Sequence, residues 1–465
     1  MTRIHLIGIG GTGLSAIARV LLEMGHTVSG SDRVESPFTR DLQSSGATIS
    51  IGHDSENVRT ADLVVRSSAI LDDNPEVIAA RAFRIPVLKR ADFLRSLMDG
   101  KTGIAIAGTH GKTTTTSMIA WVLSALGQDP TFIVGGVLKN LGVNARAGKG
   151  HTFVIEADEY DRMFLGLKPA IEVVTNIEHD HPDCYPTSTD YQAAFVEFMY
   201  HLPANGTLIA CADDAGARGL MDKAKKHGKV VISYGLLPTD RPKTGHQATV
   251  GSVASLLTPN EKGGFTFSAS VLGNSTKVEL QVPGKHNALN ALAALTVTQL
   301  LDLPLADAAQ ALDQFTGIGR RFEVRGVAND IVIVDDYAHH PTEIRATLAA
   351  ARTRYPSRRI WAVWQPHTYS RTQLLFNEFT EAFADADEVI VTEIYAAREP
   401  NQAFSSKQLV EAMQRPAHFI SGLSEVSNYL ITNLRPGDAL LVFSAGDADQ
   451  VSTQVLTHLK EVRND

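Results

Sequence analysis

Cysteine is almost absent from this chain, with only Cys184 and Cys211 among 465 residues. So few thiols exclude a disulfide framework and suit a reducing compartment, which makes a cytoplasmic protein the expectation. No run of about 18 apolar residues occurs, so no membrane-spanning helix is predicted. The opening residues, MTRIHLIGIGG, lack the basic region and cleavage pattern of a secretion signal. An excess of positive charge is missing too. The net charge of -8 speaks against nonspecific binding to nucleic acid or to anionic membranes. It does not exclude anionic small ligands, because a helix N-terminus binds phosphate whatever the total charge. Internal repeats and low-complexity segments are also lacking.

What is present is an ordinary globular composition, 44% hydrophobic and 20% charged, in a chain too long for one compact core. Three regions each open with a short apolar strand that runs into polar, chemically loaded residues. Residues 3–9 (RIHLIGI) lead through a glycine turn to a helix from about Leu14 to Met24. Residues 103–107 (GIAIA) lead through GTHGKTTTT to a helix ending near Gly127, and 331–336 (IVIVDD) to a helix from Pro341 to about Arg354. Further buried strands are predicted at 152–156, 172–176, 207–211, 360–364, 388–394 and 439–446. Strands alternating with helices predict parallel sheets, hence an α/β fold. Residues 246–282, with β-prone pieces parted by Gly263-Gly264 and Gly273-Asn274, read as a small antiparallel addition to the middle region. Boundaries near residues 99 and 321 divide the chain into three domains, 1–99, 100–321 and 322–465.

The glycines at 8, 10 and 13 in GIGGTG have the spacing of a dinucleotide fingerprint. Gly8 permits the tight turn, Gly10 allows backbone to approach a pyrophosphate, and Gly13 allows close helix–strand packing. Asp32 ends the next strand, where a carboxylate can bind a ribose hydroxyl. The fingerprint does not separate NAD from a UDP-sugar, since both present a pyrophosphate and a ribose. GTHGKTT at 108–114 is the strongest signal: a shortened phosphate loop, with Ile106 where the full pattern has glycine. Lys112 can reach β- and γ-phosphates and Thr113 can place its hydroxyl on Mg²⁺. The acidic and histidine clusters at 156–161 (EADEYD) and 175–181 (TNIEHDH) end strands that converge on the same rim, where they can hold Mg²⁺. His181 is preferred to His179 as a ligand.

Asn287 and Asn290 share one helical face and can pair with an adenine edge, although capping by Asn287 explains their spacing equally. Arg320 and Arg321 sit at the second boundary, where an arginine can reach a γ-phosphate or simply face solvent. In the third region, 335–343 (DDYAHHPTE) and 365–372 (QPHTYSRT) either bind a carboxylate-bearing substrate through Arg371 and a histidine or form polar loops.

In order, GIGGTGLS, VVRSSAI, GTHGKTTTT, EADEYD, TNIEHDH, GKHNALNALAA, GIGRRFE, DDYAHHPTE and QPHTYSRT resemble the markers of the Mur ligases of cell-wall synthesis, over essentially the whole chain. The resemblance implies a Rossmann-like UDP-binding first domain, a P-loop ATPase-type second domain and a Rossmann-like third domain that takes the amino acid. It implies ATP and Mg²⁺ as cofactors, with UDP-N-acetylmuramate and L-alanine as the partners to be joined, in a monomer or homodimer. By the same resemblance, Gly10, Gly11, Thr12, Gly13, Asp32, Ser67 and Ser68 contact the UDP substrate. Gly108, Thr109, His110, Gly111, Lys112, Thr113 and Thr114 hold ATP, with Asn287 and Asn290 on adenine and Arg321 on the γ-phosphate. Thr113, Glu156 and His181 are implied as metal ligands. Asp336, His339, His367 and Arg371 line the third-domain side of the cleft, with His339 as the candidate base. Tyr160 stands where the alanine-adding branch has serine and matches the branch that attaches a preformed tripeptide, the runner-up reading. GIGGTGLSAIA and NLGVNARAG (140–148) match the alanine-adding branch. An NAD-dependent oxidoreductase would leave the phosphate loop unexplained, and a regulator using ATP as a switch would bind ATP without substrate-dependent turnover.

Overall fold

A computed structural model describes residues 1–237, 251–397 and 399–461. The chain builds three sheets in succession. The first has five parallel strands, in the spatial order Thr48–Ile51, Thr27–Asp32, Arg3–Ile7, Leu63–Arg66, Val87–Lys89. The third has six, in the order Glu323–Ala328, Ile331–Asp336, Asp438–Ser444, Arg359–Gln365, Glu388–Val391, Ala417–Phe419; all are parallel except the antiparallel edge Glu323–Ala328. Ile331–Asp336 and Asp438–Ser444 are buried along their whole length. Helices cover both faces of such strands, which is why their sequences read as unbroken apolar runs.

The second sheet has ten strands. Its central strands, Val230–Leu236, Thr207–Cys211, Ile171–Val174, Thr102–Ala107, Thr152–Glu156 and Thr131–Leu138, are parallel. The predicted antiparallel addition consists of Ser252–Pro259, Phe265–Val271 and Asn274–Glu279. Burial in Phe265–Val271 alternates, the pattern of a sheet with one face in water. This addition is not a separate layer: Ser252–Ala254 pairs in parallel with Tyr234–Leu236 and so prolongs the main sheet. Residues 246–250 of the predicted segment lie outside the described residues.

Several predicted strands end early for local reasons. The first stops at Ile7 because Gly8 turns with φ of 86°. The strand before TNIEHDH stops at Val174, since Thr175 turns its hydroxyl to the His110 carbonyl. The strand predicted at 388–394 ends at Val391. One continuous apolar core joins the first and second sheets, from Leu6 and Ile17 through Phe93 and Met98 to Ile106 and Phe195. The third sheet has its own apolar layers, around Trp364 and Phe383 on one face and Trp361 and Val426 on the other.

Candidate active site

The phosphate loop lies at the carboxyl end of strand Thr102–Ala107 and feeds helix Lys112–Ala125. Gly108 has φ of 135°, and a side chain there would overlap the Thr175 hydroxyl. Gly111 has φ of 79°, and an added Cβ would stand 2.9 Å from Asn290 Oδ1. Both positions therefore require glycine. Asn176 holds the loop from below, its Oδ1 accepting from the His110 N–H at 2.8 Å. Lys112 Nζ curls back to donate to the Gly108 carbonyl at 2.6 Å and lies 2.8 Å from Glu159 Oε2. Burial opposes the ammonium charge, but Glu159 and its acidic neighbours hold its pKa above the ordinary value. Thr113 Oγ1 donates to Glu156 Oε1 at 2.9 Å, and the Gly135 N–H fixes the other Glu156 oxygen.

His181 adopts a left-handed φ of 55° and sits beneath Tyr160, ring centres 5.1 Å apart. Its Nε2 lies 3.8 Å from Glu159 and 3.7 Å from Asp180. His179 Nε2 lies 2.8 Å from the Tyr185 carbonyl.

A cavity of about 250 Å³ opens beside the loop, walled by His110, Gly111, Asn287, Asn290, Arg321 and Glu343 from the second and third domains. Thr114 also reaches it. The two asparagines sit on its wall, but their amides already bond within the protein. Asn290 Nδ2 donates to Asn287 Oδ1, Asn287 Nδ2 to the Pro283 carbonyl, and the Thr115 hydroxyl to Asn290 Oδ1. Neither caps the helix, whose N-cap is Gly284, so the capping reading of Asn287 is overturned.

From the third domain, Asp336 accepts the Phe322 and Ala338 N–H groups at 2.7 and 2.8 Å. It anchors the boundary segment, and burial pushes its pKa up to about 6. Arg321 lies over the Tyr337 ring, with Nη1 3.6 Å from Glu343 Oε1. Arg320 instead donates to the Ser444 carbonyl, inside the third domain. His339 Nδ1 is 2.9 Å from the Tyr337 carbonyl, and burial presses its pKa down to about 3, so the ring is neutral. Arg371 meets a carboxylate supplied by the protein. Its Nε donates to Asp180 Oδ1 at 2.7 Å, with both side chains 4% exposed, and its Nη1 lies 3.2 Å from His367 Nδ1. This pair, with Thr342 bonded to Glu178, seats the third domain on the second.

In the first domain, Asp32 is placed as expected beside the glycine turn, yet its oxygens accept the backbone N–H groups of Gly10 and Arg33 at 2.8 Å each. Asp32 thus holds the glycine turn. Gly11 is the N-cap of helix Thr12–Glu23. Gly13 leaves room for Arg90, which a side chain would overlap. Ser67 and Ser68 line a second cavity of about 290 Å³ with Arg66, Lys89, Arg90 and Asp161. A smaller space, bounded by Thr12, Gly13, Arg90 and Glu156, shares Arg90 and Met163 with it.

Sequence reasoning did not single out Arg66, Lys89 and Arg90, nor, within the clusters it named, Glu159, Glu178 and Glu343. The first three were open to it, because Arg66 and Lys89 end parallel strands, the edge where ligands of open α/β sheets bind, and Arg90 follows at once.

Family models match along the chain: "Mur ligase family, catalytic domain" over residues 3–102, "Mur ligase middle domain" over 106–298 and "Mur ligase, glutamate ligase domain" over 320–446. The UDP-N-acetylmuramate–L-alanine ligase of Geobacter sp. strain M21 is 44% identical, across 99% of this chain and 98% of its own length. The chain belongs to the Mur ligase family. That of Geobacter sulfurreducens is 43% identical to this Mur ligase, with 99% and 98% covered. Among solved structures, the UDP-N-acetylmuramate–alanine ligase of Thermotoga maritima superposes with a TM-score of 0.81 at 29% identity, covering 99% of this Mur ligase and all of that chain. A murein peptide ligase from Psychrobacter arcticus gives 0.71 at 26% identity, with 99% of each chain covered. Among the described residues, no helix of this Mur ligase is long and apolar enough to cross a membrane.

Proposed function

We propose that this Mur ligase joins L-alanine to UDP-N-acetylmuramate at the expense of ATP, through an acyl phosphate. The observation that carries the reading is a phosphate loop, with Lys112 paired to Glu159 and Thr113 to Glu156, set in a cleft that the third domain closes. Its agreement with relatives of that activity at 43–44% identity supports the choice of substrates.

The first domain, 1–99, receives the UDP portion in the cavity of Ser67, Ser68, Arg66 and Arg90, and directs the muramyl carboxylate toward the loop. The second, 100–321, holds ATP, with the loop amides and Lys112 on the phosphates. Arg321 meets the γ-phosphate from the other side and stabilises charge as the carboxylate attacks in line. The hydroxyl, carboxylate and imidazole of Thr113, Glu156 and His181 fit Mg²⁺, which when bound neutralises phosphate oxygens. Closure of the third domain, 322–465, excludes water from the acyl phosphate before the amine of alanine attacks its carbonyl and releases phosphate. His339, neutral and weakly basic, accepts an N–H hydrogen bond from the amine and so orients it, while solvent takes the proton.

The test is phosphate release from Mg-ATP and UDP-N-acetylmuramate with L-alanine, glycine, L-serine or the cell-wall tripeptide added in turn. Release that requires both the nucleotide sugar and L-alanine is expected. Release with the tripeptide alone would make Tyr160 the better guide, and no substrate-dependent release would overturn the ligase reading.

A further inference from the structure

Three ligand-type side chains meet where the third domain rests on the second, and ligation gives their side chains no part. They are His110 at the tip of the phosphate loop, Glu178 after strand Ile171–Val174, and His340 at the N-cap of helix Pro341–Arg354. One donor atom from each lies within 4.8 Å of the others. His110 Nε2 is 3.0 Å and His340 Nδ1 4.0 Å from the same Glu178 oxygen, Oε2. Two nitrogens and an oxygen bound tetrahedrally at zinc-like distances stand about 3.4 Å apart, a value these separations bracket.

His340 is 1% exposed; its Nδ1 accepts the Thr342 N–H at 3.3 Å as the helix N-cap, a bond the ion would replace, while its Nε2 finds no hydrogen-bond partner among the described residues. The surroundings also have the form of an outer shell around a metal. Glu343 Oε1 stands 3.3 Å behind His110 Nδ1, and Thr342 Oγ1 donates to the other Glu178 oxygen at 2.9 Å. Partners of this kind orient metal-bound imidazoles and carboxylates.

We propose that His110, Glu178 and His340 form a site for a first-row transition-metal dication, of the Zn²⁺ or Co²⁺ class, that bridges the second and third domains. Two imidazoles and one carboxylate select such an ion over Mg²⁺. Because His110 and Glu178 also wall the nucleotide cavity, the ion pins the cleft shut and obstructs nucleotide entry.

The experiment uses the full chain, stripped with a chelator and returned to excess Mg²⁺ so that the site of Thr113, Glu156 and His181 is saturated. Zn²⁺ is then titrated against a chromophoric chelator. One tight equivalent is expected in the parent protein and in His181→Ala, with affinity lowered more than tenfold in Glu178→Gln and in His340→Ala. Co²⁺ should give the intense visible absorption of a four-coordinate ion, lost in Glu178→Gln, which preserves side-chain shape and so guards against misfolding. Unchanged Zn²⁺ affinity in both variants, or loss of the tight equivalent in His181→Ala alone, would overturn the assignment. Because binding is read without substrate, failure of the ligase reading leaves this test intact.

Discussion

Asp180, in the loop after strand Ile171–Val174, and Arg371, in helix Tyr369–Leu374, are 191 residues apart and meet in a nearly dry interface, each side chain 4% exposed. Replacing Asp180 by Asn leaves the guanidinium buried without its counter-charge. Removing one partner from a buried pair costs about 3–5 kcal/mol. The proposed opening of the third domain gives this chain an escape, since it would return Arg371 to water. The loss should therefore fall on closure and leave the folding of each domain nearly unchanged. At about 3 kcal/mol, the closed-to-open ratio drops on the order of a hundredfold. Small-angle scattering of Asp180→Asn should show an expanded particle, and phosphate release should slow while thermal unfolding of the individual domains hardly moves. The double variant Asp180→Leu/Arg371→Met replaces the pair with apolar groups and should regain part of the closure. A scattering profile and a turnover rate both unchanged in Asp180→Asn would refute the reasoning.

Lys112→Ala withdraws a cation from the phosphates and leaves Glu159 buried and unpaired; ligation measured by phosphate release should fall about 10²–10³-fold. Gly111→Ala forces a side chain into the left-handed region against Asn290, and thermal denaturation should register a loss of about 1–2 kcal/mol together with weaker ATP binding. Glu172, wholly buried with neither carboxylate oxygen hydrogen-bonded, is pushed by burial up to about 8. Its folded form thus holds a proton that the unfolded chain releases above the ordinary carboxylate range, so stability falls as pH rises from about 4.5 to 8. Glu172→Gln should be more stable than the parent at pH 8, with the gain vanishing near pH 4, as urea denaturation at the two pH values will show. His339, depressed to about 3, should contribute no inflection to the pH–rate profile between about pH 5 and 8, and His339→Gln should keep the shape of that profile while losing rate.

The parts of this architecture legible in the sequence are those whose cause is local. Ile331–Asp336 and Thr152–Glu156 read as strands because the helices on both faces demand an unbroken apolar run, and the observed limits match that run. The phosphate loop was legible because Gly108 and Gly111 need backbone freedom at fixed offsets from a strand and a helix. The antiparallel edge Glu323–Ala328 escaped notice, since only Ala328 is buried and its place depends on a partner strand rather than on its own pattern.

The same division runs through the site. That Asp32 and Arg371 matter follows from charge at the end of strand Thr27–Asp32 and in the polar segment after strand Arg359–Gln365, a local fact. Which group each one meets does not follow, because the identity of a charge's partner is set by closure of the chain over long separations. Asp32 meets backbone N–H groups, and Arg371 meets Asp180 across the interdomain cleft. Both placements make physical sense afterwards. A buried guanidinium must have a counter-charge, and with the third domain seated on the second that counter-charge is Asp180. Under the proposed function, an arginine so paired couples domain position to amino-acid binding in one equilibrium.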